Sequence, residues 1–437
     1  MEWIKYLEIG AFIAALAIAI FTFSKSAQKI RRNIQLGRPI DRNDRKNDRW
    51  ALMARVAMGQ SKMVVRPVAG FFHILIYVGF ILINIEVLEI VLDGLTGSHR
   101  MFAAPLGSFY NVVIGFFEIL ALGVITACVV FLWRRNVLKL DRFHKEEMKG
   151  WPTKDANLIL YIELVLMFAL LLMNAVEANF TDRVAGPFLI SQWLSPLFAS
   201  MPQSALHLLE RTFWWLHILG ILAFLNYLPY SKHFHIILSF PNVWHAKLQP
   251  KGEMGNMAAV KAEVEKMMDP SADPYAAPAE GEAEPARFGA KDVMDLHRVQ
   301  LMNAYACTEC GRCTSSCPAN QTGKKLSPRK IMMDVRDRLE EVGRVIDQKG
   351  EWEDDGRSLL DDFISREELW ACTSCNACVE ACPVAIDPLS IILDMRRYLV
   401  MEESAAPQEL NLMMTNVENN GAPWQFAQAD RLNWAQD

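Results

Sequence analysis

Five runs of the chain are apolar over about the length of the roughly 20 helical residues that cross a bilayer core: 7–23, 68–92, 109–133, 158–178 and 206–229. The first is short. A secretory signal would place basic residues before such a run and a small-residue cleavage site after it. Here one Lys precedes it and Lys25, Lys29, Arg31 and Arg32 follow, which predicts a retained span with its N-terminus outside. Behind the fifth run, 230–248 is amphipathic. Residues 250–290, including DPSADPYAAPAEGEAEPARFGA, are rich in Ala, Pro and Glu, with too few apolar groups to offset the entropy of ordering. Apolar positions at helical spacing return in PRKIMMDVRDRL from Pro328 and PLSIILDMRRYL from Pro388, each opening on a proline suited to a helix start. The pattern predicts an all-α membrane protein. It comprises a five-helix transmembrane bundle over 1–248, a linker over 249–290, a helical domain over 291–405 and a docking tail over 406–437.

Charge orients this plan. Segment 25–66 carries twelve Lys/Arg and 134–154 carries seven, whereas 93–108 and 179–205 carry one each, Arg100 and Arg183. Lys and Arg stay on the cytoplasmic side of a membrane. Five spans therefore put the C-terminal half in the cytoplasm, as expected for a protein of a bacterial inner membrane. The formal net charge of −5 argues against a nucleic-acid partner, which would demand a basic surface. The 52% hydrophobic content is high for a wholly soluble chain. Eight of the nine cysteines lie in 250–437.

Those eight form a pattern. Cys307-x2-Cys310-x2-Cys313-x3-Cys317-Pro318 recurs as Cys372-x2-Cys375-x2-Cys378-x3-Cys382-Pro383. This is the bacterial two-cluster ferredoxin run, in which three thiolates of one loop grip one [4Fe–4S] cube and the fourth Cys ligates the other. Cys307, Cys310, Cys313 and Cys382 are thus expected to hold one cluster, and Cys372, Cys375, Cys378 and Cys317 the second. Zinc sites use paired C-x2-C units without the third cysteine or the proline, and disulfides are disfavoured in a reducing cytoplasm. The runs are also an internal repeat, because Asp334/Asp394, Arg336/Arg396 and Leu339/Leu399 match at equal offsets from the prolines. The 54 residues between Cys317 and Cys372 exceed what a small β-rich ferredoxin would need, so the domain is predicted helical.

Histidine within a span is rare and by default functional. His217 and His235 are 18 residues apart. On one continuous helix they would share a face about 27 Å apart, with His233 on nearly the opposite face and His207 some 80° away from His217. His73 stands near the cytoplasmic end of the second run. The five spans, FFHILIYVGF on the second and WLHILGILAFLNYLPYSKHFH on the fifth resemble the membrane cytochrome b subunits of respiratory nitrate reductases, and the related membrane subunits of heterodisulfide and sulfite reductase systems. That resemblance implies haem b with His73 and His235 as axial ligands, provided the fifth helix continues through Tyr230, Ser231 and Lys232. It also implies His217 as a ligand of a second haem, but the partner position on the second span holds Ile83. One haem is expected and the second stays open.

Carboxylates inside spans usually face a cavity or a proton path. Glu86 and Glu118 are the candidate quinone or proton residues. Glu89, Glu177 and Glu210 read as interfacial, and Glu163 as the partner of a loop Arg. The C-terminal half resembles the iron–sulfur subunits of heterodisulfide reductases. It lacks the adjacent Cys-Cys of their catalytic modules, which implies a cytoplasmic partner carrying cysteine-rich or flavin modules. Pro423-Trp424 and Arg431-x2-Trp434 resemble the segment preceding those modules and form a candidate docking element. Neither a dinucleotide fingerprint nor a P-loop is present, and Cys128 reads as a packed small hydrophobe. The resemblance implies a membrane electron-transfer subunit relaying electrons between the quinone pool, haem b, two [4Fe–4S] clusters and a cytoplasmic oxidoreductase partner, in a direction the sequence leaves open. The alternatives are a subunit of a redox-linked ion-translocating complex and a zinc-binding membrane scaffold.

Overall fold

A computed structural model describes residues 2–250, 252–269, 271 and 287–436. Of the Ala/Pro/Glu-rich linker, residues 251, 270 and 272–286 lie outside the described residues. Those described contain helices and two isolated bridges, Arg38–His297 and Leu360–Ile364, and no strand. The chain is an all-α membrane protein.

Five helices are long and apolar enough to cross a membrane: α1 (Glu2–Gln35), α2 (Pro67–Thr96), α3 (Ser108–Asn136), α4 (Trp151–Glu177) and α5 (Gln203–Tyr227). Each neighbours the next and α1 closes the ring against α5. The apolar core between them includes Ile83, Ile114, Leu170 and Ile218. Helix α1 has 34 residues, about 51 Å at 1.5 Å per residue, and so outruns a hydrocarbon core of ~30 Å. Its far end enters the cysteine-bearing domain, where Asn33 donates to Tyr305 Oη at 2.9 Å and Arg32 to Asp347 at 2.5 Å.

The fifth helix does not run on as the haem expectation required. Tyr227 is followed by one tight turn, Leu228–Tyr230, and Ser231 is extended (φ −117°, ψ 150°). A second turn, Lys232–Phe234, leads into α6 (His235–Trp244). The break follows from Pro229, which lacks an amide hydrogen and crowds the preceding turn. It is held by Tyr227 Oη on Asp155 of α4.

The repeat is visible as two helix–loop–helix units. The first runs from α7 (Arg298–Ala306) through the first cysteine loop to α8 (Arg312–Ser316) and α9 (Pro328–Lys349). The second runs from α10 (Arg366–Ala371) through the second loop to α11 (Ala377–Ala381) and α12 (Pro388–Met401). α8 packs on α11, and α9 on α12. Their shared core is continuous with the end of the bundle, where Ile30, Phe224, Leu228 and Phe234 join Leu301, Val335 and Leu339. Buried arginines bind the two parts, Arg312 donating to the Lys62 carbonyl at 2.7 Å and Arg329 to Glu147 at 2.7 Å. Within the membrane part, Arg49 donates to the Trp244 and Ala246 carbonyls at 3.0 and 2.9 Å. In the tail, α13 (Gln408–Asn420) is followed by exposed Trp424 and Trp434.

Candidate functional site

The two cysteine loops follow one backbone path. Glu309 and Ser374, each two residues past the first Cys, have φ of 54° and 56°. Gly311 and Asn376, each four past it, have φ of 73° and 61°. The fourth position takes Gly and Asn, the residues that enter the left-handed region at least cost. The chain then turns into α8 or α11, whose first turn carries the third cysteine, while the fourth cysteine stands just past the helix end.

Packing α8 against α11 brings the thiols together across the repeat. Cys307, Cys310, Cys313 and Cys382 line one cavity, with Cys378, Met332 and Ile386 in its wall. Cys372 is within electrostatic reach of Cys317 and Cys375, and Cys378 of Cys372 and Cys317. The first run's three leading thiols thus meet Cys382 of the second run, and Cys372 and Cys378 of the second meet Cys317 of the first. Backbone amides point at the sulfurs: Ser374 N–H reaches Cys372 Sγ at 3.4 Å and Ile386 N–H reaches Cys382 Sγ at 3.3 Å. Burial, with neighbouring thiols adding to it, pushes Cys307 and Cys378 up to about 12 and Cys382 up to about 11. Thiols held neutral in this way are poor nucleophiles and ionise when a metal supplies the compensating charge. All nine cysteines are free, and among the described residues no three His, Cys, Asp or Glu side chains converge on one metal-ion position. Sulfurs spread around a cavity suit a cluster wider than one ion.

The membrane histidines sit on the same side of the domain. His73 on α2 lies within electrostatic reach of His235 and of Arg312, next to Cys313, and its Nδ1 is buried without a partner. His235 Nδ1 donates to the Lys232 carbonyl at 3.1 Å, which leaves Nε2 available. The break after α5 changes the expected faces. His233 is not opposite His235 but packs against it, ring centroids 5.4 Å apart, and within reach of His73. Sequence reasoning missed this third histidine because it assumed one helix through 230–232. Burial holds His233 down to about 3 and lowers His235 as well. His217 is separate and buried on α5, with Nδ1 donating to the Leu166 carbonyl at 2.9 Å. Ile83 is packed in the apolar core. His207 is half exposed against Phe180.

At the other end of the bundle, Arg100 is buried among the carboxylates. It donates to Glu177 at 2.8 Å, to Asn174 at 2.6 Å and to Tyr110 Oη at 3.4 Å, and stands 3.5 Å from Glu86. Glu89, Glu177 and Glu210 were expected at the interface. They are 3%, 0% and 2% exposed, and the loop carrying Arg100 folds back over Glu89 and Glu177. Glu89 accepts from Tyr110 Oη and the Phe102 amide, both at 2.7 Å. Glu210 is held by its neighbour Arg211 at 2.7 Å. Glu118 accepts from the Ile190 amide at 2.8 Å and from Asn174 at 3.1 Å. Glu86 is 2% exposed and its Oε2 has no partner. Arg100 had entered the sequence reading only as a topology marker. Among the described residues Glu163 makes no hydrogen bond or ion pair, so the expected loop-Arg partner is absent, and Cys128 is fully buried in the bundle core.

Residues 306–386 match the family model described as a 4Fe-4S dicluster domain. The cysteine-bearing part is a 4Fe–4S dicluster domain. Over 97% of its length the chain is 28% identical to the probable iron-sulfur-binding oxidoreductase FadF of Bacillus subtilis, covering 60% of that protein. Over 99% of its length it is 26% identical to the EtfAB:quinone oxidoreductase of Syntrophomonas wolfei, covering 59% of it. Over 27% of its length it is 30% identical to one subunit of the ferredoxin/F420H2-dependent CoB-CoM heterodisulfide reductase of Methanosarcina acetivorans, covering 60% of that subunit. The chain spans about 60% of the length of the first two relatives. No solved structure matches it. These likenesses make it a homologue of iron–sulfur oxidoreductases and of heterodisulfide reductase subunits.

Proposed function

We propose that the chain is a membrane electron-transfer subunit. In this reading it moves electrons between a quinone in the bilayer, one haem b and two [4Fe–4S] clusters, to or from a cytoplasmic oxidoreductase partner. The observation that carries the reading is the meeting of His73, His233 and His235 with the first cysteine loop at one end of the bundle. Cys307, Cys310, Cys313 and Cys382 hold the cluster next to the membrane. Cys372, Cys375, Cys378 and Cys317 hold the one farther out, where Cys375 is exposed. His73 and His235 are the axial ligands. The Nδ1 of His235, fixed on the Lys232 carbonyl, fits that role because a ligating imidazole is oriented by its second nitrogen, and His73 brings a buried ring nitrogen that has no protein partner. When bound, the haem and the clusters supply one-electron transfer, and the protein sets their spacing and potential.

His217 serves in this reading as a hydrogen-bonded helix contact, because its partner position is Ile83. The cytochrome b-like fold of the bundle, the bacterial inner membrane and the cytoplasmic side of the cysteine domain belong to the same proposal. The twelve Lys/Arg in 25–66 support that orientation. The likeness to the EtfAB:quinone oxidoreductase of Syntrophomonas wolfei supports quinone as the membrane substrate. Of the two candidate proton residues, Glu118 already accepts donors on both oxygens, whereas Glu86 has a free buried oxygen. Glu86 is therefore the group placed to exchange a proton and Glu118 the group that shapes the site.

The test is an optical spectrum of the detergent-purified protein before and after dithionite, with iron and haem assayed on the same sample. A broad cluster absorbance that bleaches, together with a reduced b-type α band at one haem per chain, is expected. Clusters without haem would reduce the reading to a membrane-anchored ferredoxin. A colourless zinc protein would overturn it.

A further inference from the structure

The break after α5 puts one cation in contact with both halves of the proposed electron path. Ser231 Oγ accepts from the His233 amide at 3.1 Å and sets the turn Lys232–Phe234. Within that turn the Lys232 carbonyl accepts from His235 Nδ1 at 3.1 Å, and its amide donates to Asp155 at 3.2 Å. The Lys232 Nζ donates to the Glu309 carboxylate and, at 2.6 Å, to the Pro152 carbonyl. Its side chain is 9% exposed and that of Glu309 is 2% exposed. Glu309 lies between Cys307 and Cys310, and its second oxygen accepts from Arg336 of α9 at 2.8 Å.

We propose that Lys232 is a positioning residue that couples the haem site to the first cluster. The proposal rests on the haem reading above. Through its carbonyl, Lys232 fixes the ring of His235 and its donor strength, as partners of ligating histidines do. Through its ammonium it holds the first cysteine loop against the membrane segment and places a buried positive charge between the two centres. Lys232, Arg336 and Arg135 face Asp155 and Glu309, with Asp337 beside Arg336, and removal of Nζ takes from Glu309 one of its two hydrogen-bonded cations in a low-dielectric setting. A positive charge favours the reduced form of a neighbouring centre. Its loss is felt at the haem and the first cluster, and little at the second cluster.

The test is a redox titration of the full-length, detergent-purified protein, following the haem band optically and the clusters by electron paramagnetic resonance. Lys232→Met is expected to shift the haem equilibrium about tenfold towards the oxidised form, which is ~59 mV for one electron. Glu309→Gln removes the opposite charge and is expected to shift it the other way, while Lys232→Arg restores the wild-type value. If Lys232→Met does not fold, the other two variants carry the test. Haem and first-cluster potentials unchanged in the folded variants, or an equal shift at both clusters, overturn the proposal. A wild-type protein without haem overturns the haem reading itself, a separate result.

Discussion

The two cysteine loops share spacing, dihedral angles and a following helix, and they differ at almost every position between the cysteines. Where the first loop has Glu309, the second has Ser374. Where the first has Arg312, the second has Ala377, and Arg329 at the start of α9 corresponds to Leu389 on α12. These three charged residues of the first unit are used against the membrane part: Glu309 on Lys232, Arg312 on the Lys62 and Met63 carbonyls, Arg329 on Glu147 and the Arg142 carbonyl. The second loop uses its side chains less: Arg396 of its own unit donates to the Leu369 and Cys372 carbonyls at 2.6 and 2.5 Å, and the membrane part reaches it at backbone carbonyls, Lys62 on Glu380 at 3.1 Å and Asn242 on Val384 at 2.7 Å. Arg336, at the same offset in the first unit, reaches its loop through Glu309. A duplicated motif thus becomes directional. The cysteines keep the chemistry equal while the residues between them decide which end docks on the bundle.

The largest effect that separates the loops is at their last cysteines. Because the thiols cross over, Cys382→Ser is expected to remove the cluster of the first loop and Cys317→Ser that of the second. Each variant would lose about half of the iron, measured by iron assay and by the paramagnetic signal that remains. If Cys382→Ser leaves the cluster of the first loop intact, the cross-over assignment fails. Next comes Arg312→Ala, which takes the side-chain donor from the half-buried Lys62 carbonyl and leaves that of Met63 to the Arg66 amide alone. It is expected to cost about 1–3 kcal/mol in denaturant unfolding and to loosen the first loop in hydrogen exchange, with the second loop unchanged. A smaller effect concerns pH. Burial works against the Glu147 carboxylate, but hydrogen bonds from Ser327 and Arg329 outweigh it and hold the group below the usual glutamate range. A depressed acid contributes stability above its unfolded value and loses it as pH falls through the folded one. Acidification below the ordinary glutamate range should therefore raise hydrogen exchange around α8 before α11. The smallest effect leaves stability untouched: in the cluster-free protein the exposed Cys375 should alkylate before half-buried Cys310, read by mass spectrometry.

At the opposite end of the bundle the same contrast appears between charge counted and charge placed. Arg100→Ala removes the cation that the buried Glu177, Asn174 and Glu86 face. Breaking a buried pair costs about 3–5 kcal/mol, and unfolding in detergent should report that loss.

Much of this was legible from residue order, for reasons that are local. Apolar runs must be helices in a bilayer because no water is there to satisfy the backbone. The cysteine spacing dictates a cluster loop because three close thiolates and a displaced fourth match a cubane and little else. Illegible were the features that depend on where the chain turns. One proline-bearing turn at 228–231 moved His233 beside His235 and set Lys232 between the histidines and Glu309. One folded loop took Arg100 from a marker of topology to the centre of a buried carboxylate cluster. Periodicity assumes a helix continues, and charge counts assume a loop is wet, so neither can anticipate a break or a burial. Sequence alone determined five apolar helices, two cluster loops and their helical repeat, since each is written in neighbouring residues. Tertiary structure alone decided which loop faces the membrane, which histidines meet and which carboxylates are shut away from water, because these depend on contacts between residues as far apart as Lys62 and Arg312.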